Sequence, residues 1–337
     1  MSTLVKKPTI RDVAAEAGVS KSLVSLVFSS PKSVSPVRKE RVLRAAEKLG
    51  YAPNFLARSL AADSGTFVAI LVADLHNPLF AEIADQVRVR LEAEGRHYFI
   101  TSAMIKGDTD APYLDKQTLK SIVDLRPESL LVIGSIPRIG ILEALPKELP
   151  IIFASGVPIG LPRAASVRTN EEIGMSLVIQ HLVSLGHKKI SYISGVSGVV
   201  SNDRLSSYEK AMAAHGLSKE IDVVSAQADD EDAGYHSAKI LLESKNPPTA
   251  ITCFNDLQAL GAQTAANEMH SKVALVGYDN TYLSGLSQIN LTSVDPGNRE
   301  IANTCADLII SKSVKPKFAH FSAPSLVVRA STERNRP

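Results

Sequence analysis

Apolar residues recur at helical spacing over the first sixty positions and then give way to short continuous runs. In residues 9–28, Ile10, Val13, Ala14 and Ala17 fall on one face of a predicted helix. Thr9 and Asp12 have capping-box spacing, and Gly18 supplies a turn that a Cβ would resist. Ser20 then caps a second predicted helix with Val24, Val27 and Phe28 inward and Lys21, Ser22, Ser25 and Leu26 outward. Two short helices joined by a tight turn, the second with a small, basic outer face, suit the major groove of DNA. A third helix starts at Ser35-Pro36, an N-cap followed by proline at the first helical position. It lines Val42, Ala45, Ala46 and Leu49 on one face and stops at Gly50. Residues 51–54 read as an extended connector, and residues 54–60 as one more short helix.

From Thr66 the pattern changes. Strands are predicted over 67–73, 98–102, 130–134, 151–154, 190–194, 223–225, 250–253, 273–277 and 291–294. Helices are predicted over 80–94, 113–125, 171–185, 205–214, 231–244, 256–267 and 298–311. Near-continuous apolar strands alternating with helices indicate parallel sheets covered on both faces. The strands are too many for one compact sheet, so two Rossmann-like subdomains are expected. Ligands bind beyond the carboxyl ends of such strands, and two facing subdomains make a cleft there.

Charge sharpens the division. The whole chain carries 37 Lys+Arg against 35 Asp+Glu, a net +2. Residues 1–64 hold 11 basic and 5 acidic side chains, a net +6, and the remainder is net −4. A basic head on a mildly acidic body suits a polyanion partner for the head alone. Cys253 and Cys305 sit in apolar contexts and read as buried thiols in a reducing compartment, with a disulfide as the alternative. The eight histidines are scattered, and no Cys/His cluster has metal-ligand spacing, so no metal is expected. Residues 1–7 lack a signal-peptide pattern and no segment reaches the length of an apolar span, so a cytoplasmic location is expected.

The order of motifs resembles the lactose/galactose repressor (LacI/GalR) family of bacterial transcription factors. The matching residues are Thr9-Ile10-x-Asp12-Val13-Ala14, Ala17-Gly18-Val19-Ser20, Val24-Ser25, Arg41-Val42, Leu49-Gly50-Tyr51-x-Pro53-Asn54 and Ala57-Arg58-Ser59-Leu60. Later matches are Asn77-Pro78, Leu185-Gly186-His187, Gly277-Tyr278-Asp279 and Leu326-Val327-Val328-Arg329, so the resemblance runs along essentially the whole chain. It implies a small all-α helix-turn-helix head and an α/β core of two Rossmann-like subdomains, periplasmic-binding-protein-like of type I. The head is placed at 5–53, a hinge helix and linker at 54–64, and the effector-binding and dimerisation core at 65–337. Within the core, one subdomain takes about 65–168 and 297–324, the other about 169–296 and 325–332, with crossings near Arg168, Pro296 and Pro324.

DNA contacts are assigned to Thr9, Lys21, Ser22, Ser25, Leu26, Asn54, Ala57, Arg58 and Leu60, the last implied by the resemblance as a minor-groove wedge, with a hydrophobic contact between the two hinge helices as the alternative. Leu23 and Leu26 stand where the family usually carries threonine and arginine. Leu26 therefore either meets a thymine methyl or packs against the third helix. Effector contacts are assigned to Leu79, Phe80, Ser155, Arg204, Asn255 and Asp279. The resemblance implies that groups at the Arg204, Asn255 and Asp279 positions hydrogen-bond a small molecule. Each has a plain structural alternative: Arg204 as an ion-pair partner, Asp279 as a turn residue, neighbouring Asp256 as a helix cap, and Phe80 as half core, half pocket wall. Ser155 and Thr169 stand where aspartate is common, which leaves a sugar, a polyol, a nucleoside or a phosphorylated effector open.

No phosphate-binding, dinucleotide or nucleophile-elbow glycine motif is present. The nearest glycine-rich loop, residues 195–198, follows a predicted strand but lacks a phosphate-binding lysine. The sequence therefore predicts a homodimeric transcriptional regulator, a repressor by the family's habit, that binds pseudo-palindromic double-stranded operator DNA and a small effector. It predicts no cofactor, no membrane contact and no enzymatic activity. A corepressor-dependent regulator is the alternative, and a solute receptor or an enzyme on the same fold the more distant ones.

Overall fold

The computed structural model describes residues 8–29, 33–52, 67–103, 105–106, 113–196 and 198–333. The chain divides into two compact units, residues 1–63 and 64–337.

The first unit holds α1 (Ile10–Ala17), α2 (Lys21–Ser29) and α3 (Pro36–Leu49). The Thr9 backbone N–H donates to Asp12 Oδ2 at 2.7 Å, and Asp12 N–H donates to Thr9 Oγ1 at 3.4 Å, completing a capping box. Gly18 ends α1 in the left-handed region at φ 59°, and Ser20 Oγ accepts from Leu23 N–H at 3.2 Å to start α2. Val13, Ala14, Ala17, Val24, Val27, Val42, Ala45 and Ala46 form one buried cluster, with Phe28 and Tyr51 packed at its edge. Ser35 occupies the N-cap of α3, but its side chain makes no capping bond; Pro36 alone marks that start. The predicted helix at 54–60 lies outside the described residues.

The second unit contains two six-stranded sheets. One has the order β13-β7-β6-β5-β1-β2 and is parallel throughout. Its strands are β1 (Phe67–Val72), β2 (His97–Ser102), β5 (Ser129–Ile133), β6 (Ile151–Ala154), β7 (Ala165–Thr169) and β13 (Ala319–Ser322). The other has the order β14-β12-β11-β10-β8-β9, parallel except where β12 meets β14. It comprises β8 (Ile190–Ser194), β9 (Asp222–Ser225), β10 (Ala250–Cys253), β11 (Ala274–Tyr278), β12 (Thr292–Asp295) and β14 (Ser325–Val327). The chain leaves the first sheet after Thr169, returns to it after Asp295 and leaves again between Ser322 and Ser325.

Helices cover the sheets. α4 (Pro78–Ala93) and a late helix, Asn298–Ile310, bury Ile83, Val87, Ile301 and Cys305 against the first sheet. Glu171–Ser184 and Val199–Ala214 cover one face of the second, and Glu231–Leu242 with Asp256–Glu268 the other. The last two touch backbone to backbone, because a Cβ on Gly261 would stand 1.9 Å from the Glu231 carbonyl oxygen. Cys253 and Cys305 are free and buried, and burial raises both thiol pKa values.

Several predicted boundaries shift. The helix predicted at 113–125 begins at Lys116, because Asp115 caps it and β4 (Tyr113–Leu114) pairs antiparallel with β3 (Ile105–Lys106). The helix predicted at 205–214 begins at Val199, because Ser201, Arg204 and Ser207 are buried polar residues of its inner face. Strands β7, β13 and β14 have no counterpart in the sequence reading; β7 carries polar Ser166, Arg168 and Thr169, and β13 is largely exposed.

Candidate DNA-reading face and effector cleft

In the first unit, α2 presents Lys21 and Ser22 as exposed residues and Ser25 as half-buried. Leu26 is 38% exposed and stands outside the buried cluster. Thr9 is exposed, and its hydroxyl donates to Asp12 Oδ2 at 2.7 Å, so its side chain serves the cap. Asn54, Ala57, Arg58 and Leu60 lie outside the described residues.

In the second unit, the carboxyl ends of the two sheets face each other. The Tyr282 N–H, after β11, donates to Glu82 Oε1 on α4 at 2.9 Å. Burial raises the Glu82 pKa, partly offset by this bond. At the first crossing, Arg168 Nη1 pairs with Asp203 Oδ2 at 2.7 Å and stacks on Phe321. Asp74, after β1, adds to the raised pKa of Asp229, after β9, although burial is the main cause. Phe80 is half-buried, with its ring against Gly134 at the end of β5 and packed on the core cluster. Ser155 follows β6 in the left-handed region at φ 54° and is half-buried.

The floor on the second sheet is built around Arg204. Its Nε and Nη2 donate to Glu171 Oε2 and Oε1 at 2.7 and 3.0 Å, and its Nη1 donates to the Phe254 carbonyl. Its planar group lies 3.6 Å from the Tyr278 ring centroid and 4.6 Å from that of Phe254. Burial opposes the charge on Arg204, but Glu171 outweighs it and the guanidinium pKa rises. Asp279 is 5% exposed, at φ 107°, an uncommon conformation for a non-glycine residue. Its N–H donates to the Val294 carbonyl at 2.9 Å, and its carbonyl accepts from Asn298 Nδ2 at 3.0 Å. Burial pushes its carboxyl pKa well above the carboxylate range, against the lowering effect of Arg204.

Asp256 pins the same loop from below. Its Oδ2 accepts from Thr281 N–H at 2.7 Å and Thr281 Oγ1 at 2.9 Å, and its Oδ1 accepts from Ser293 Oγ at 2.6 Å. Burial nevertheless raises its pKa to about 6. Asn280 is tied to Ser293, Asp295 and Arg329, so the strained Asp279 backbone is held on both sides.

Three expectations for effector contacts change. The Leu79 side chain lies in the apolar cluster beneath the first sheet, so it packs the core rather than lining the cleft. Asn255 caps the helix Asp256–Glu268 through Oδ1 to Gln258 N–H at 2.8 Å, and its Nδ2 donates to the Asp229 carbonyl at 2.8 Å. The cap predicted for Asp256 therefore belongs to Asn255. Arg204 takes the ion-pair role that was its structural alternative. Tyr278 was named only within a family motif, and Glu171, Asp229, Phe254, Asn298 and Glu82 were given no role, because nothing in their local sequence sets them apart. Among the described residues no His/Cys/Asp/Glu cluster has the geometry for a metal, and no helix is long and apolar enough to cross a membrane. A recess of about 410 Å³ at the amino ends of the second sheet's strands, lined in part by Gln263, Lys272, Gln288 and Ser331, is distant from this chemistry.

A three-helix head of this form, in one chain with a core of two sheets whose carboxyl ends are bridged by polar contacts, defines a DNA-binding regulator under small-molecule control. Residues 9–54 match the family described as bacterial regulatory proteins, lacI family, and residues 179–332 match the periplasmic binding protein-like domain. The chain is 32% identical over 314 residues to the HTH-type transcriptional repressor PurR of Aliivibrio fischeri strain MJ11, covering 90% of this chain and 91% of that protein. It is 28% identical to catabolite control protein A of Priestia megaterium, covering 85% and 86%. Among solved structures, the lac repressor dimer bound to operator and the anti-inducer ONPF aligns with TM-score 0.81 at 25% identity, covering 97% and 99%. The chain belongs to the lacI family of bacterial regulatory proteins. It is a ligand-controlled DNA-binding transcriptional repressor.

Proposed function

We propose that the head, residues 5–53, reads operator half-sites through Lys21, Ser22, Ser25 and Leu26, with Thr9 at the phosphate backbone. Residues 54–64 act as the hinge, where Asn54, Ala57 and Arg58 approach DNA and Leu60 wedges into the minor groove. The core, residues 65–337, binds the effector and dimerises; the lac repressor to which the chain aligns is a dimer bound to operator and an anti-inducer. Two heads related by a dimer axis then require a pseudo-palindromic site. The exposed face of α2, set on a buried three-helix cluster, is the observation that carries the DNA reading.

The effector sits between Phe80 and Ser155 on one side and Asp279, beside the Arg204–Glu171 ion pair, on the other. Asp279 supports this best: it is buried and conformationally strained, and its carboxylate makes no hydrogen bond among the described residues. The protein works in the cytoplasm, needs no cofactor and catalyses no reaction. A thermal-shift screen of sugars, polyols, nucleosides and amines, followed by operator titration with each hit, tests the reading. A hit that shifts operator affinity in the full-length protein, and is lost in Asp279→Ala, is the expected outcome. A hit whose binding is untouched by Asp279→Ala would move the site elsewhere.

A further inference from the structure

We infer that Glu171 makes the cleft refuse anions, so that the effector is a donor-rich molecule that is uncharged or cationic. The inference rests on the effector-site reading above and narrows its chemistry.

A guanidinium recognises a phosphate or carboxylate ligand through paired N–H groups or through its exposed charge. Arg204 offers neither freely. One edge is clamped by both oxygens of Glu171, at 2.7 and 3.0 Å, and Nη1 is directed to the Phe254 carbonyl. Its flat surface is covered by Tyr278 and Phe254. The glycine loop after β8 is similarly occupied. Its Val196 N–H, the kind of backbone donor that cradles phosphates, donates to Asp229 Oδ1 at 2.8 Å. Protein carboxylates thus already hold these anion-receptive groups.

The charge balance points the same way. Glu171 and Arg204 cancel. Asp229 and Asp279 add nothing when protonated and negative charge when ionised. While the Glu171–Arg204 ion pair holds, no protonation state of Asp229 or Asp279 makes this cluster positive, so an anion meets no net attraction there. What the site offers is an acceptor. Asn298 Oδ1 is buried without a hydrogen-bond partner among the described residues, and an amide oxygen can only accept. Asn298 adjoins Asp279, whose carbonyl it holds. Buried acceptors of this kind are completed by ligand N–H, O–H or ammonium groups.

The test uses full-length protein, thermal shift and calorimetry at matched ionic strength. The probes are inorganic phosphate, ribose against ribose 5-phosphate, adenosine against adenosine 5′-monophosphate, and putrescine. In wild type, phosphate should give no saturable shift, and each ester should bind at least tenfold more weakly than its neutral partner. Glu171→Gln uncovers Arg204 and should gain saturable stabilisation by inorganic phosphate, at least tenfold tighter than wild type. A folded Glu171→Gln that gains nothing overturns the role of Glu171. Wild type that binds an ester as tightly as its neutral partner overturns the charge rule. If Glu171→Gln does not fold, wild type decides alone: saturable stabilisation by inorganic phosphate or by an ester whose neutral partner does not bind overturns the charge rule, and their absence upholds it. No operator response to any compound in the wider screen would instead sink the effector reading on which the inference rests.

Discussion

At the scale of single residues, the head and the core pose opposite problems. Leu26 is an apolar residue left facing outward, 38% exposed beside Lys21 and Ser22. Its exposure favours DNA contact over packing against α3. Leucine offers only apolar contact, for which a thymine methyl is the natural partner, whereas arginine can pair with guanine through two hydrogen bonds. Leu26→Arg should therefore shift one half-site position toward G·C in selection from randomised DNA, together with a sequence-independent gain in affinity. Identical base preferences for both proteins would show that Leu26 reads nothing. Asp256 is the reverse case, a polar residue drawn fully inward. Its folded pKa of about 6 lies above the ordinary aspartate value, burial being the cause. Between roughly pH 4 and 6 the native state keeps a proton that the unfolded chain has lost, so this site's stabilisation is present at low pH and lost as pH rises through about 6. Asp256→Asn removes that titration. The stability of wild type relative to Asp256→Asn should fall by about 2–3 kcal/mol from pH 4 to pH 7 in denaturant titrations. A pH-independent difference would show that the three bonds to Thr281 and Ser293 hold the carboxylate ionised throughout.

At the scale of elements, close approach decides what side chains are tolerated. The helices Glu231–Leu242 and Asp256–Glu268 meet at Gly234 and Gly261, where a Cβ would stand 2.1 and 1.9 Å from facing carbonyl oxygens. Neither neighbour is the movable end of a side chain, so the helices themselves must separate. Gly261→Ala should cost about 1–3 kcal/mol, as overpacking does, and lower the urea midpoint without changing the slope. Gly140→Ala, with nothing within 4 Å of the added carbon, is the control and should be close to neutral. Elements with a strong period were legible in sequence. The capping box at Thr9 and Asp12, the turn at Gly18 and the buried runs of β1, β5 and β6 follow from local rules alone. Strands β7, β13 and β14 were not, because their pairing is non-local and their side chains are polar or exposed. The cleft was legible in part for the same reason. Asp279 and Phe80 stand at strand ends that the pattern marks. The partnership of Glu171 with Arg204 spans 33 residues, and nothing local announces it.

At the scale of the whole molecule, charge and compactness divide along the same line. Residues 1–63 and 64–337 are separate compact units, and the net charge of +6 lies in the first 64 residues against −4 in the rest. DNA is held mainly through phosphates, and neutralising them releases counterions, so affinity falls steeply with salt. A head carrying the positive charge should supply essentially all of that term, while the acidic core repels DNA at low salt rather than adding to it. The core contains both sheets and every described cleft residue, so it should keep its effector without the head. A fragment of residues 65–337 should therefore sediment as a dimer and show the same ligand-dependent thermal shift as the full chain, yet fail to retard operator DNA even at about 50 mM salt. The full-length protein should bind at that salt and lose on the order of 10³ or more in affinity by about 200 mM, as expected for six or more phosphate contacts. Operator binding by the fragment would place DNA contacts in the core and overturn the division. A flat salt response of the full-length protein would show that base contacts, rather than the basic head's phosphate contacts, dominate its affinity.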